Sequence, residues 1–298
     1  MNTLHLKALL LAIETGSISA AARKLGKTQP QVSQWISDLE CDLGVTFFER
    51  SGNKTSLTED GQRLLPALTH SLGQLDHFID SAYTLAKAEP TVLNIGIEHF
   101  LPESAFLQPL TEILSSSETA SLNVDVYRDD KVGLVAALAA GEVDLILIHE
   151  SEIVHHSQCE YCRLGGYHEI LVCGVEHPLA KETTVSTALL SQYRELVWGD
   201  ADADSNDGFS PSYGVFSDVS TVTQLLIQHQ GFAFLPKDAV KSLIDSGQLV
   251  ALDCDFETQT IARRVELCWR NGLALSKRGK AVITAFQQHH QLVTGLQR

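Results

Sequence analysis

The chain of 298 residues is long enough for two or three domains, and a hydrophobic content of 44% is adequate for buried cores. No run of eighteen apolar residues occurs and the first residues lack the layout of a signal peptide, which excludes a membrane-spanning helix and favours a cytoplasmic protein with its six cysteines reduced. The net charge of −15 is unevenly distributed, because residues 1–90 carry only −2 and the remainder carries −13.

Two short helices joined by a tight turn are predicted between positions 17 and 43. Ser17 or Ser19 can cap the first helix and Gly26 ends it, while Thr28 can cap the second. The apolar positions of the second helix recur at spacings of four, three and four, at Val32, Ile36, Leu39 and Leu43. This arrangement places a helix in the major groove of DNA.

The outward face of the second helix carries polar side chains that can reach base edges and phosphates. Neither Lys nor Arg occurs between Thr28 and Leu43, so Gln and Ser are expected to read the bases while flanking basic residues supply charge. We expect the acidic Asp38 to face away from the DNA. The residues predicted to contact DNA are Arg23, Lys27, Thr28, Gln29, Pro30, Gln31, Ser33, Gln34, Trp35, Arg50 and Lys54.

A turn signal at Ser51-Gly-Asn53 predicts a β-hairpin wing with Lys54 just past its tip. A long helix is predicted from Thr58 onward, with acidic residues at its positive end. Its apolar residues follow a heptad seam, at Leu65, Leu68, Leu72, Leu75, Ile79, Ala82 and Ala86. Such a seam suits pairing with a second copy, and packing on the helix's own domain is the alternative. Pairing would hold two recognition helices at a fixed separation and predicts a pseudo-palindromic DNA site.

The first 65 residues resemble the winged helix-turn-helix of LysR-type transcriptional regulators. The resemblance is carried, in order, by positions 6–22, Thr28-Gln-Pro-Gln-Val-Ser33, 39–40, 43–50 and 57–61. It implies a winged helix-turn-helix domain at 1–58, a linker helix at 59–89 that forms a homodimer, and an effector-binding domain at 90–298. It also implies double-stranded DNA and a small-molecule effector as partners and a homotetramer as the final assembly.

Strands and helices alternate after Pro90. The predicted strands are 92–97, 122–127, 143–148, 170–175, 195–198, 214–216, 232–235 and 265–270, with helices near 101–114 and 131–140. Repeated βα units imply mainly parallel sheets that bind ligands at the carboxyl ends of their strands. Positions 141–146, 176–180, 231–236 and 247–250 resemble the two-lobed, periplasmic-binding-protein-like effector domain of the same family. The fold predicted for the whole chain is therefore multidomain: an α winged helix-turn-helix, a linker helix and a C-terminal α/β domain.

By that resemblance the first lobe takes about 91–163 and 268–298, the second takes about 164–267, and the effector lies between them. The implied effector-binding residues follow the strands and are Glu98, His99, Phe100, Arg128, Asp129, His149, Trp198, Asp200, Ser217, Asp218 and Phe232. Their many carboxylates favour a ligand with a cationic or donor-rich group over a simple dianion. Structural pairing of Glu98 with Arg128 is the alternative.

A segment rich in His and Cys offers a second candidate site. Imidazoles and thiolates bind zinc or copper, and a Cys-x-x-Cys pair can cycle between dithiol and disulfide. Because no second Cys pair lies at zinc-ribbon distance, no metal or cofactor is predicted, and a metal- or redox-responsive regulator stays an alternative. The candidate ligands are His155, His156, Cys159 and Cys162.

An enzyme is not expected from this sequence. Nothing arranges a nucleophile, a base and an oxyanion site, and no glycine-rich phosphate loop is present. The acidic segment 200–208 also fails the EF-hand pattern. The function predicted is that of a sequence-specific DNA-binding transcriptional regulator modulated by a small molecule, with a ligand-independent DNA-binding protein as a further alternative.

Overall fold

The computed structural model describes residues 2–49, 56–86, 89–150, 159–199, 208–256 and 261–291. The chain divides into two compact units whose main boundary lies at positions 87 and 88. Within the described residues, no helix is long and apolar enough to cross a membrane.

Among its described residues, the N-terminal unit contains the helices α1 (Thr3–Thr15), α2 (Ile18–Lys24), α3 (Gln29–Leu43) and α4 (Glu59–Ala86). Ser17 caps α2, because its hydroxyl accepts the backbone N–H of Ala20 at 3.3 Å. The core of the unit is formed by α1, α2 and α3 together with Phe47 and Phe48, which lie after α3. A backbone bridge between Phe48 and Leu57 closes the base of the predicted wing. The predicted turn at 51–53 lies outside the described residues.

The long helix α4 changes character along its length. Thr58 caps it, with its hydroxyl oxygen 3.0 Å from the backbone nitrogen of Gly61. Leu72 is buried and Leu68 packs against the core of the unit, whereas Ile79 is 37% exposed and Phe78 is 68% exposed. The first half of the predicted seam therefore packs on its own domain, and the second half presents an apolar face to solvent.

The second unit is an α/β domain. Its strands are β1 (Val92–Glu98), β2 (Asn123–Asp129), β3 (Leu145–His149), β4 (Cys159–Gly174), β5 (Glu195–Trp198), β6 (Tyr213–Phe216), β7 (Phe232–Pro236), β8 (Leu249–Ala251) and β9 (Ile261–Arg270). Its helices are α5 (Leu107–Ser115), α6 (Lys131–Ala140), α7 (Thr187–Leu190), α8 (Val219–Ile227), α9 (Lys237–Asp245) and α10 (Lys277–Gln291).

Within the described residues, these strands form one hydrogen-bonded sheet in the order β2-β1-β3-β9-β4-β7-β5-β6, with β8 also paired to β4. Parallel pairing joins β1 to β2 and β3 on one side, and β5 to β6 and β7 on the other. Between these groups, β9 runs antiparallel to β3 and β4 runs antiparallel to β7. The result is two parallel halves joined by long central strands.

Each half of the sheet has its own apolar core. Along β4, Leu164 and Tyr167 belong to the core around β1 and β3, whereas Ile170 and Val172 belong to the core around β5 and β7. The strand therefore passes from one lobe to the other between Tyr167 and Ile170. The domain and lobe boundaries drawn from the sequence remain predictions.

The fold class predicted from the sequence is confirmed. Several elements differ from the prediction: β4 begins at Cys159 instead of position 170, β9 begins at Ile261 instead of position 265, β8 was not predicted, and the helix after β1 begins at Leu107 instead of near 101. The last difference follows from Pro102, which precedes a single 3₁₀ turn at Glu103–Ala105 and delays the α-helix.

Candidate functional site

The exposed face of α3 presents a row of amide and hydroxyl side chains. Gln29, Gln31 and Gln34 are exposed and Ser33 is half-buried, while Val32 and Ile36 fill the core behind them. The exposed Thr28 and Pro30 begin the same helix. The sequence therefore folds into an amphipathic helix whose polar side is free to meet another molecule.

Gln31 also serves as the helix cap. Its Oε1 accepts the backbone N–H of Thr28 at 3.3 Å and the Thr28 hydroxyl at 3.0 Å. This is one half of a capping box. It gives the backbone N–H of Thr28 an acceptor that the helix itself does not supply. With its carbonyl oxygen engaged in this way, Gln31 offers an outside partner its amide N–H groups.

Asp38 lies on the same exposed face as Gln34, and the expectation that it faces away is not met. Gln34 Nε2 donates a hydrogen bond of 2.7 Å to Asp38 Oδ1. Four residues correspond to about one helical turn, so both side chains project from one side. Asp38 therefore fixes the orientation of the Gln34 amide.

The remaining predicted DNA contacts surround this helix. The half-buried indole of Trp35 stacks on the imidazole of His5 of α1, with ring centroids 5.4 Å apart. Arg23 and Lys27 are exposed at the end of α2 and in the turn that follows. Arg50 and Lys54 lie outside the described residues.

The second unit contains a cleft of about 1000 Å³, here called the main cleft. It is lined at the carboxyl ends of β1, β3 and β5 by Glu98, His149 and Trp198, and by His99 and Phe100 after β1. Parallel strands end at a common edge, which brings together residues up to 100 positions apart. Further lining residues are Asp130, Lys131, Val132, Glu150, Tyr167, Glu169, Gly199, Ala262, Arg263 and Arg264.

Polar side chains that are mostly shielded from solvent pair with one another in the wall of the main cleft. Glu98 Oε2 accepts the backbone N–H of His149 at 2.6 Å and lies 3.2 Å from His149 Nδ1. His149 Nε2 is 2.7 Å from the Tyr167 hydroxyl. Burial raises the pKa of Glu98, but the hydrogen bonds and charge of His149 outweigh burial and leave that pKa below its usual value. Burial also raises the pKa of Tyr167, whose hydroxyl therefore keeps its proton.

A second buried carboxylate lies two residues from Tyr167. Glu169 Oε2 accepts from Arg263 Nε at 2.9 Å, and the Glu169 side chain is only 11% exposed. Burial raises the pKa of Glu169 more than Arg263 lowers it. Because residues two apart on a strand share a face, Tyr167 and Glu169 both reach the main cleft from β4.

A neighbouring cleft of about 710 Å³, the side cleft, contains Arg128, Ser217 and Asp218 and shares Trp198 with the main cleft. Arg128 donates to the backbone oxygens of His99 at 2.7 Å and Leu101 at 3.3 Å. Its guanidinium also lies 4.9 Å from the centroid of the Phe106 ring. The alternative pairing of Glu98 with Arg128 is not observed, because Glu98 is engaged by His149 and Arg128 by backbone oxygens.

Comparison with known proteins matches both units to family models. Residues 4–62 match the bacterial regulatory helix-turn-helix protein, lysR family, and residues 91–291 match the LysR substrate binding domain. The chain belongs to the LysR family. The match covers both the recognition helix and the domain that contains the cleft.

Full-length relatives of this LysR chain are transcriptional regulators. This chain is 28% identical over 268 residues to the uncharacterised regulator YeeY of Escherichia coli, and the match covers 87% of this chain and 84% of YeeY. It is 27% identical to the multiple virulence factor regulator MvfR of Pseudomonas aeruginosa, covering 93% and 83% of the two chains. The full-length structure of LysG from Corynebacterium glutamicum shares the fold, with a TM-score of 0.55, 17% identity and coverage of 97% and 99%.

Two implied effector-binding residues of this LysR chain line neither cleft. Phe232 is fully buried in an apolar core and lines neither cleft, because it begins β7, which lies between β4 and β5 in the sheet. Asp129 also lines neither cleft; its Oδ1 accepts the backbone N–H of Asp130, ahead of α6. Asp200 lies outside the described residues.

Sequence reasoning missed Tyr167, Glu169 and Arg263. Effector contacts were expected in the loops that follow parallel strands, whereas these residues lie within the long strands β4 and β9. A signal was available: Glu169 is a carboxylate directly before the apolar run that begins at Ile170. A charge in such a strand needs a buried partner, which indicates a site between elements.

The structure does not favour the Cys-x-x-Cys alternative. Cys159 and Cys162 both lie on β4, and residues three apart on a strand project to opposite faces. Burial raises the pKa of Cys162 more than the hydrogen bond from Gln287 lowers it, which disfavours the reactive thiolate. In the part of the chain that the structure describes, no group of three or more His, Cys, Asp or Glu side chains is placed to hold a metal. His155 and His156 lie outside that part.

Proposed function

We propose that this LysR-family chain is a sequence-specific transcriptional regulator whose DNA contacts change when a small molecule occupies the main cleft. The cleft carries the proposal, because its 1000 Å³ lies at the upper end of the range of ligand pockets and its polar walls converge at the strand ends. LysG of Corynebacterium glutamicum, which shares this fold, is described with bound effector Arg. We propose Glu98, His99, Phe100, His149 and Trp198 as effector contacts, and Arg128, Ser217 and Asp218 as contacts for a ligand that extends into the side cleft.

We propose that α3 reads the bases of the operator. Gln29, Ser33 and Gln34 have amide or hydroxyl groups on its exposed face, which suits hydrogen bonding to base edges in a major groove. Arg23 and Lys27 flank this row and suit phosphate contacts, and Arg50 and Lys54 are proposed for the same role. The net charge of −13 on residues 91–298 repels DNA in general. This repulsion favours binding at specific sites and makes the DNA affinity depend steeply on salt concentration.

We propose that a second copy of the chain covers the exposed apolar face of α4. Phe78, Ile79, Tyr83 and Leu85 are all exposed large hydrophobic residues at its carboxyl half. Pairing through this face gives a homodimer on a pseudo-palindromic operator, and two dimers give the proposed homotetramer. The regulator acts in the cytoplasm and catalyses no reaction.

Selection of DNA from a random library by the full chain, followed by titration of a metabolite extract, tests the proposed function. We expect the selected DNA to contain two related half-sites, and the extract to change the affinity for that DNA. Selected DNA whose binding no metabolite fraction alters would support the ligand-independent alternative. The absence of any enriched sequence would contradict the whole proposal.

Sedimentation of an Ile79→Glu variant tests the dimer. We expect the wild-type chain to sediment as a dimer or tetramer, and the variant to dissociate because a carboxylate must then be buried in an apolar seam. His70→Glu places the same charge at an exposed position off the seam and should leave the assembly intact. Dissociation of both variants, or of neither, would contradict the assignment of this face.

A further inference from the structure

One wall of the main cleft contains three side chains that are hydrogen-bonded to one another. Glu98 comes from β1, His149 from β3 and Tyr167 from β4, and all three line the cleft. Glu98 Oε2 lies 3.2 Å from His149 Nδ1, and His149 Nε2 lies 2.7 Å from the Tyr167 oxygen. The three side chains therefore form one continuous chain of hydrogen bonds, here called the acceptor wall.

The charge of Glu98 sets the direction of this chain. An ionised carboxylate can only accept hydrogen bonds, so His149 Nδ1 carries a proton. When the His149 imidazole holds this one proton alone, Nε2 has a lone pair, and the Tyr167 hydroxyl donates its proton to it. In that state the Tyr167 oxygen has only lone pairs left, and the acceptor wall offers a ligand acceptors and no donor.

Glu169 adds a further acceptor beside Tyr167. Arg263 Nε lies 2.9 Å from Glu169 Oε2, which leaves Oε1 outside that bond. Because burial makes the charged form of Glu169 costly in spite of Arg263, another positive charge near it is favourable. Three Lys or Arg residues are among the lining residues: Arg263 pairs with Glu169, Arg264 lies 3.4 Å from Glu150, and the charge of Lys131 acts on Glu98.

Two aromatic rings complete this environment. Phe100 and Trp198 line the main cleft with their centroids 5.9 Å apart and their planes at 83°. The faces of such rings attract cations, and the attraction increases where water is excluded. Lone-pair acceptors, buried carboxylates and aromatic faces all favour the same kind of ligand.

We propose that the main cleft binds an organic cation, whose protonated nitrogen donates to the Tyr167 oxygen and the Glu169 carboxylate while its carbon skeleton packs on Phe100 and Trp198. The inference rests on the proposed function, because it assigns a ligand class to the same cleft. An acidic group on the ligand is compatible with it, since Lys131 also lines the cleft.

Three probes of nearly the same shape test the ligand class: 2-phenylethylamine, 2-phenylethanol and 3-phenylpropionate. Each is titrated into the full chain by calorimetry at pH 7.5. We expect the amine to bind about tenfold more tightly than the alcohol, the size of one charge-assisted hydrogen bond, and the carboxylate to bind most weakly. Equal or tighter binding of 3-phenylpropionate overturns the proposal.

A Tyr167→Phe variant separates the acceptor role from packing. It keeps the ring and removes the oxygen, so we expect the amine to lose about fivefold to tenfold in affinity while the carboxylate changes little. Tyr161→Phe is the matched control, because Tyr161 is exposed on the same strand and lines neither cleft. An unchanged amine affinity in Tyr167→Phe contradicts the acceptor role.

The two proposals can fail separately. If none of the three probes binds but a metabolite extract still changes DNA affinity, the ligand class is wrong and the regulator proposal stands. If neither the probes nor the extract has an effect, the cleft is not an effector site and both proposals fall.

Discussion

The polar row of α3 and the wall of the main cleft are both built from hydrogen-bonding side chains, but they are held in different ways. On α3, Gln31 and Gln34 are exposed and are oriented by partners three and four residues away. In the cleft, the side chain of Glu98 is only 13% exposed and its partner His149 lies 51 residues away in sequence. The first surface is held by one helix, and the second by the packing of a whole sheet.

This difference predicts how the two sites respond to substitution. A side chain on the surface of α3 can be removed without disturbing the core behind it. We therefore expect such a substitution to weaken DNA binding and to leave the stability of the fold nearly unchanged. A side chain in the cleft supports its neighbours, so binding and stability are expected to change together. Four substitutions test this contrast.

Gly166→Ala is expected to have the largest effect. An added Cβ at this position would lie 1.9 Å from the backbone oxygen of Arg263, where β4 passes β9 next to the cleft. Two paired strands cannot move apart without losing hydrogen bonds and packing contacts. We therefore expect a loss of about 3 kcal/mol in the free energy of unfolding of the second unit, measured by urea denaturation.

Gly199→Ala is the matched control for Gly166→Ala. Its Cβ would meet Val197 Cγ1 at 3.5 Å, an ordinary contact, so we expect little change in the urea midpoint. Equal midpoints for the two variants would show that close packing of the crossing strands does not hold the cleft together.

Gln29→Ala is expected to weaken binding to the selected operator by about 2 kcal/mol, the size of one good base contact, without changing the unfolding midpoint. Ser33→Ala should act in the same direction. Both are measured as the ratio of affinities for operator and random DNA. By comparison, Lys54→Ala should weaken binding to operator DNA and to random DNA by the same factor, since a phosphate contact does not depend on base sequence. An equal loss on the two DNAs for Gln29→Ala would contradict base reading by α3.

Glu98→Gln is expected to destabilise the second unit by about 1 kcal/mol at pH 7, because it removes the charge that accepts from His149. The folded-state pKa of Glu98 is below the ordinary glutamate value of 4.5, so its charge stabilises the fold fully above pH 4.5. This contribution is lost as the pH falls through the folded-state pKa. The difference between variant and wild type in urea denaturation should therefore shrink below pH 4.5.

Glu103→Gln is the control for Glu98→Gln, because Glu103 is exposed in the side cleft. We expect no loss of stability from it at either pH. A difference between Glu98→Gln and wild type that stays constant down to pH 3 would mean that the charge of Glu98 does not stabilise the fold.

Gln31→Ala is expected to have the smallest effect, a loss of about 0.5 kcal/mol, because it removes the cap on Thr28. Gln31→Glu keeps an acceptor for the cap and should preserve stability, but its charge should repel DNA. Thermal denaturation and operator affinity together distinguish the two roles. If Gln31→Glu loses stability as Gln31→Ala does, the capping role is wrong.

The helix-turn-helix could be predicted from the sequence because its determinants are local. Ser17 and Thr28 mark helix starts, and the spacing of Val32, Ile36 and Leu39 defines the buried face within a single helix. The orientation of Asp38 was wrongly predicted, although its spacing from Gln34 was visible. In the cleft, the ends of β1, β3 and β5 could be anticipated from alternating strands and helices.

The sequence by itself determined the family, the order of domains and the polar row of α3, because these depend on spacings within a few turns or strands. Only the tertiary structure decided that Tyr167 and Glu169 face Glu98 and His149, and that Phe232 is buried in a core instead. The physical reason is that β4 passes from one core to the other and β9 pairs beside it in the sheet. Which of their side chains meet the cleft depends on pairing between strands about 100 residues apart, and that pairing is a property of the folded sheet.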